Sequence, residues 1–128
     1  MDNYEIAHHL SMLSKLMDIH SENSFKSKSY SIASYNIEQN NIQLGNLTRR
    51  EIFSMQGIGD TIGEKIIELL DTGKIKDLEK LLKKTPPGVF EMLKIKGIGP
   101  KKISIIWKEI VGNSTKTTQY EIVKLEQF

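Results

Sequence analysis

Two glycine pairs are the residues of this chain best suited to holding a ligand. Gly57-Ile58-Gly59 and Gly97-Ile98-Gly99 lie 40 residues apart in a chain of 128. Each pair permits a tight reversal, a positive φ and close approach of the backbone to another molecule. Each is followed at once by a helical stretch, so free N–H groups and the positive end of a helix dipole face outward at the tip of the turn. Such donors suit an anion such as phosphate and, being backbone groups, carry no preference for a base. Thr61 follows the first pair; Lys101 and Lys102 follow the second and add charge. Ile58 and Ile98 are expected to pin each turn to its own helices. Gly57-x-Gly59 overlaps the dinucleotide fingerprint G-x-G-x-x-G, but no strand precedes it and Ile62 stands at the third glycine position, which excludes that reading.

One amine stands apart. On a helical wheel Ile58, Ile62, Ile66, Leu69 and Leu70 form an apolar stripe, and Asp60, Glu64, Glu68 and Asp71 form an acidic face. Lys65 falls on the opposite border of the stripe, beside Thr61. A half-buried amine there is deprotonated more readily than an exposed one, and a neutral amine attacks carbonyls. Lys26 and Tyr30, one helical turn apart, are placed to bind phosphate or relay a proton. The wheel turns Glu64 and Glu68 away, so burial and the Lys26 charge are expected to lower the Lys65 pKa. There is no cysteine, and His8, His9 and His20 lack the spacing of metal ligands. Trp107, at helical spacing with Ile103 and Ile110, reads as core rather than a stacking platform.

These groups must be positioned by helices. Ile6, Leu10, Leu13, Leu16 and Met17 recur at three- and four-residue steps through 4–19, an amphipathic helix. A second helix is predicted over Phe25–Gln39, with Tyr30, Ile32, Ala33 and Ile37 inward. Thr48 caps a short helix, with Glu51 completing a capping box. Further helices fit 60–71, 75–84, 87–94 and 100–111, with Gly73 and Gly112 at their ends and Pro86 and Pro100 near their starts. No stretch alternates with period two, so the expected class is all-α. The repeat unit is helix, glycine hairpin, helix. We expect a four-helix unit over 1–73 with the first hairpin and a smaller unit over 74–112 with the second. The tail, 113–128, is either a final helix or the start of something truncated.

Composition narrows the function. With 38% hydrophobic and 27% charged residues the chain reads as globular, and its length excludes a TIM barrel or a two-domain dehydrogenase and, unless the chain is a fragment, a polymerase with a complete palm. The net charge of +2 hides an asymmetry: residues 1–25 carry one lysine against four acids, and residues 74–108 carry ten lysines against three. A polyanion partner is expected for the basic part. No apolar run is long enough for a membrane, and Met1-Asp2-Asn3-Tyr4-Glu5 carries no secretion signal, so a cytoplasmic, nucleoid-associated protein is expected.

The two in-phase hairpins resemble the helix-hairpin-helix family. More widely, residues 1 to about 110 resemble the N-terminal region of bacterial family X, polymerase beta-like DNA polymerases. Glu22-Asn23-Ser24-Phe25-Lys26-Ser27-Lys28-Ser29-Tyr30, with Ala33, is similar to their N-P-F-K-x-R-x-Y-x-x-A segment; Ser24 replaces proline and Lys28 replaces arginine. Gly57-Ile58-Gly59-Asp60-Thr61-Ile62-Gly63-Glu64-Lys65-Ile66 is similar to the first hairpin and its helix, Asp71-Thr72-Gly73-Lys74-Ile75 to an A-T-G-K-L turn, and Gly97-Ile98-Gly99-Pro100-Lys101-Lys102 to the second hairpin. The resemblance implies a lyase-like domain followed by a fingers subdomain. It implies binding of gapped, nicked or abasic DNA in base excision repair, and places Lys65 where lyase-active relatives form a Schiff base with a 5′-deoxyribose phosphate, assisted by Tyr30 and Lys26. Several such relatives carry a lysine where this chain has Thr61.

The resemblance further implies a monovalent cation, sodium or potassium, on the carbonyls of Phe53, Met55 and Ile58 and of Leu93, Ile95 and Ile98. No cofactor is expected for lyase chemistry, no zinc or magnesium is expected to be retained, and a monomer is expected. These residues hold no nucleotidyltransferase constellation, so no polymerisation is expected of them. Two other readings stay open: a non-enzymatic helix-hairpin-helix module that tethers DNA or a protein, and a pure interaction scaffold.

Overall fold

The computed structural model describes residues 1–112; the tail expected to be a final helix or a truncated start lies outside the described residues. Seven α-helices and one 3-10 turn follow in order, with no strand among the described residues. The class is all-α. Among these residues no helix is long and apolar enough to cross a membrane.

Helix α1 (Asn3–Ile19) starts where the Asp2 side chain accepts a hydrogen bond from the Glu5 N–H, and buries Ile6, Leu10, Leu13, Leu16 and Ile19. Its first residue ties down a distant loop. The buried Asn3 side-chain amide donates to the Ile42 carbonyl at 2.8 Å, and its carbonyl accepts from the Leu44 N–H at 2.9 Å. Leu44 opens the 3-10 turn, Leu44–Asn46.

Helix α2 (Ser24–Glu38) packs on α1 through small residues and hydroxyls. Ser14 Oγ donates to the Ser27 carbonyl and Ser34 Oγ to the Ala7 carbonyl, both at 2.7 Å. Ser27 Oγ bridges to the Asp18 carboxylate and the Ser14 carbonyl. The inward face is therefore Ser27, Tyr30, Ala33, Ser34 and Ile37. Ile32, expected inward, is instead 52% exposed. Apolarity misleads here because the buried stripe is built from serines that satisfy themselves on α1 carbonyls.

Helix α3 (Arg49–Phe53) carries the expected capping box, with Glu51 N–H to Thr48 Oγ1 at 3.2 Å and Thr48 N–H to Glu51 Oε1 at 3.0 Å. Helix α4 (Asp60–Thr72) ends at Gly73, which takes the left-handed conformation. Helices α5 (Lys76–Lys83), α6 (Pro87–Leu93) and α7 (Pro100–Gly112) follow. Besides α2, α1 packs against α5 and α7, so a single core runs through the described chain. At that junction the His20 ring meets the edge of Trp107 at 5.1 Å, and His20 Nε2 lies 2.8 Å from Thr85 Oγ1. Trp107 thus serves the core, as its spacing predicts.

The repeat is visible bond by bond. Met55 N–H donates to the Ile52 carbonyl and Ile95 N–H to that of Met92; Ile58 to Met55 and Ile98 to Ile95; Gly63 to Gly59 and Ile103 to Gly99. Gly57 and Gly97 have φ of +85° and +90°. The second glycines differ from expectation. Gly59 is the extended N-cap of α4, with φ −84° and ψ 177°, and only the first glycine of each pair needs the left-handed region. Ile58 and Ile98 are half-buried against the core, as expected.

The copies divide their packing volume differently. A Cβ on Gly63 would lie 2.5 Å from the Phe53 ring, whereas the matching positions in the second copy hold Leu93 and a fully buried Ile103. Gly63→Ala should therefore cost about 1–3 kcal/mol by overpacking. Adding Phe53→Leu should recover most of that loss, as measured by urea unfolding; no recovery would show that another contact is at fault.

Candidate functional site

Among the described residues, three clefts meet the N-terminal half of α2. The first, about 470 Å³, lies between the start of α2 and the first hairpin. It brings together Lys26, Tyr30, Gly57, Gly59 and Thr61, five of the residues singled out from sequence. The second, about 290 Å³, lies on the other side of Lys26 and Tyr30, where α5 supplies Asp77, Lys80 and Lys84. The third, about 560 Å³, is shared by Ser24, Lys28 and Ser31 of α2 and by Lys101 of α7. Phe25 lines both the first and the third, and its side chain is largely in solvent at 81% exposure. Phe25 gives no signal in the sequence beyond its place in a motif; it is an exposed ring between the cleft of the first hairpin and the cleft that Lys101 lines.

The hairpin tips are open. A Cβ on Gly59, Gly97 or Gly99 would meet no other atom within 4 Å, and all three residues are exposed. Gly97, Gly99, Lys101 and Lys102 thus form a second exposed tip, separate from the Lys26–Tyr30 cleft. Asp60 is the first helical residue of α4, and the helix start carries no side-chain capping hydrogen bond.

Lys65 does not behave as its wheel position suggests. It lies at the border of the stripe, but Nζ donates to Asp77 Oδ2 at 2.7 Å, with the lysine side chain 19% and the aspartate side chain 54% exposed. Burial pulls the Lys65 pKa down; the Asp77 hydrogen bond and charge push it up, joined by Tyr30 and Glu68, and the net is above the ordinary lysine value. The expected lowering is therefore reversed. The partner that reverses it comes from α5, 12 residues away, beyond the reach of a single-helix wheel. Asp77 is held below the usual carboxylate range by the Lys65 hydrogen bond and charge, with burial opposing and Lys80 and Lys26 assisting. Tyr30, 3% exposed, has its phenol pushed up by burial, against the pull of Lys65. Tyr30 and Lys65 thus sense each other electrostatically, and Asp77 stands between the amine and the second cleft.

Comparison with known proteins adds to this geometry. The profile of the helix-hairpin-helix domain family matches residues 1–75. The chain belongs to that family. It is also 32% identical over 110 residues, 86% of this chain and 19% of the relative, to DNA polymerase/3'-5' exonuclease PolX of Bacillus subtilis (strain 168). The likeness to family X polymerases read from the motifs is thereby supported by an alignment running through both hairpins. The chain spans about a fifth of that relative's length.

The ion pair has a titration signature. The folded Lys65 pKa is raised, so its stabilisation is present at neutral pH and lost as pH rises through that value. The folded Asp77 pKa is depressed, so its stabilisation is present above the ordinary aspartate range and lost as pH falls through the folded value. Asp77→Asn should flatten both limbs, each by less than about 1 kcal/mol for so exposed a pair. In lysine side-chain NMR the Lys65 resonance should titrate above an ordinary lysine in the parent and shift downward in Asp77→Asn. An unmoved midpoint would remove Asp77 as the cause.

Proposed function

We propose that this chain binds gapped, nicked or abasic DNA through the backbone of its two hairpins, as a monomer and without reading sequence, in base excision repair at the bacterial nucleoid. The observation that supports this most is the open space at the second glycine of each hairpin, where a Cβ would touch nothing of the protein. Nothing inside the fold requires glycine at 59 or 99; an approaching phosphate does, because the helix N-terminus behind it offers N–H donors at van der Waals range. The relative's printed name, a DNA polymerase and exonuclease, is in keeping with this. Lys101 and Lys102 add charge at the second tip, and Phe25 offers a face to an unstacked base.

The hairpin carbonyls fit a monovalent cation by their donor chemistry. Met55 and Ile95 each accept one hairpin N–H, from Ile58 and Ile98, at 3.2 Å, which leaves a second lone pair on each oxygen. With the carbonyls of Phe53 and Ile58, and of Leu93 and Ile98, they form two all-oxygen sets suited to sodium or potassium.

For catalysis we propose Lys65 as the nucleophile toward the aldehyde of a 5′-deoxyribose phosphate. The neutral Nζ adds to the carbonyl carbon, water leaves, and an imine links protein and sugar. Tyr30 and Lys26 flank that position. The Asp77 ion pair favours the other reading, a DNA-binding module without enzymatic activity, because it holds the amine protonated in the free protein.

Two experiments test this. DNA affinity should fall with salt with a log–log slope of about −2 to −5, as for a few phosphate contacts. Gly59→Ser and Gly99→Ser put a favourable capping residue at a helix start, so stability should hold while affinity drops at least as far as in Lys101→Ala. Full affinity in both serine variants would end the hairpin reading.

Borohydride, which reduces the imine to a secondary amine, should trap the parent on 5′-deoxyribose phosphate DNA. Lys65→Ala should abolish trapping with binding kept within a few fold, and Tyr30→Phe should slow it. Trapping that survives in Lys65→Ala moves the nucleophile to Lys26 or the N-terminus. A parent that binds this DNA and is never trapped is a binding module.

A further inference from the structure

An imine on Lys65 holds the sugar but does not free the DNA strand. For that a proton must leave C2′, next to the carbon that Nζ holds, and a group beside the amine must accept it. The neighbours of the amine differ in what they can accept. Tyr30 is buried and its phenol is pushed up, so it keeps its proton and serves as a donor. Lys26, Lys80 and Lys84 line the cleft of about 290 Å³ and bring cations. Glu68 accepts from the Lys76 N–H at 2.7 Å, which commits one of its oxygens to the start of α5. Glu22 lines the same cleft without a hydrogen bond to the amine.

Asp77 differs from all of these. Its Oδ2 lies 2.7 Å from Lys65 Nζ, so it already touches the atom to which the sugar would be joined. Its Oδ1 accepts no hydrogen bond among the described residues. The side chain is more than half exposed and lines the cleft, so it faces open space beside the amine. The Lys65 hydrogen bond and charge hold its carboxyl below the usual range, which keeps it ionised at neutral pH, the form that accepts a proton.

We propose that Asp77 is a catalytic residue that takes the C2′ proton of a sugar bound to Lys65 and so turns the imine into strand cleavage. This rests on the reading of Lys65 as the nucleophile. The imine is protonated on Nζ. Asp77 removes a C2′ proton; the C–H electron pair becomes the C1′=C2′ bond, and the C1′=Nζ pair returns to nitrogen, giving an enamine. The enamine re-forms C1′=Nζ, its carbon pair becomes C2′=C3′, and the C3′–O bond breaks with its electrons on oxygen. The strand leaves with a 5′-phosphate. Water then hydrolyses the unsaturated imine, which frees the amine and releases the sugar phosphate as an aldehyde, and the proton on Asp77 passes to solvent. One carboxylate thus acts twice: it holds the amine protonated in the free protein, which slows imine formation, and it drives the step that follows.

Single-turnover reactions on end-labelled 5′-deoxyribose phosphate DNA separate the two effects. Adduct trapped by borohydride at each time reports the imine, and 5′-phosphorylated strand released without borohydride reports elimination. Asp77→Asn should form adduct at least as fast as the parent and release strand about a hundredfold more slowly, the usual worth of a general base, so that adduct accumulates. Asp77→Glu, which keeps a carboxylate, should recover most of the release rate. Deuterium at C2′ should slow release by the parent and leave adduct formation unchanged. Release at the parental rate in Asp77→Asn overturns the proposal and leaves Lys65 in place. Loss of adduct and release together in Asp77→Asn also overturns it, because Asp77 then serves only to place Lys65. A parent that binds this DNA and gives no adduct overturns the Lys65 reading, and the role of Asp77 with it.

Discussion

The burial of α1 between α2 on one side and α5 and α7 on the other is the constraint from which the other placements follow. Each glycine hairpin is a short reversal whose helices, five to thirteen residues long, are too brief to be stable alone. They persist because their apolar residues join a core that α1 organises. The same packing sets the clefts: α2 is drawn in close by serine hydroxyls, and α5 is laid beside α1 so that its lysines and Asp77 face the start of α2.

Tyr30 shows how one buried side chain divides a surface. Its phenol is enclosed, and with Lys26 it forms the wall between the hairpin cleft and the α5 cleft. Backbone donors dominate one side and ammonium groups the other. The two kinds of donor are therefore adjacent without being merged, and Asp77, the partner of Lys65, lies on the ammonium side. A pair this exposed contributes little to stability. Its larger effect is on the protonation state of the amine.

Much of this was legible in the residues. The 40-residue repeat, the capping box at Thr48 and the glycine after α4 are local signals, and the helices fell within a residue or two of their expected bounds. The joint placement of Lys26, Tyr30, Gly57, Gly59 and Thr61 in one cleft also agrees with the motif reading. What could not be read was set by contacts between helices. Ile32 faces solvent because serines occupy the inner stripe of α2. Asp77 captures Lys65 from another helix, which a wheel cannot show. Gly59 turned out to be a helix cap, since a glycine pair by itself does not say which member needs the positive φ.

Helix α1 precedes in the chain every helix it packs on, which has a consequence for how the molecule is made. During synthesis this helix leaves the ribosome before its partners: Asn3 waits for Ile42 and Leu44, and the far side of α1 waits for α5 and then α7. The helix that buries the most side chains among the described residues thus emerges before all of its partners and is the last to be fully covered. An early pairing with α2 shields one flank, and the serine hydroxyls that fasten it are in place once residue 34 is out. The other flank stays open until α7, roughly 90 residues beyond α1, has been translated, an interval of about 5–20 seconds at ordinary elongation rates. Nascent chains halted in that interval expose the face on which α5 and α7 later settle, and that face is where a chaperone would hold them.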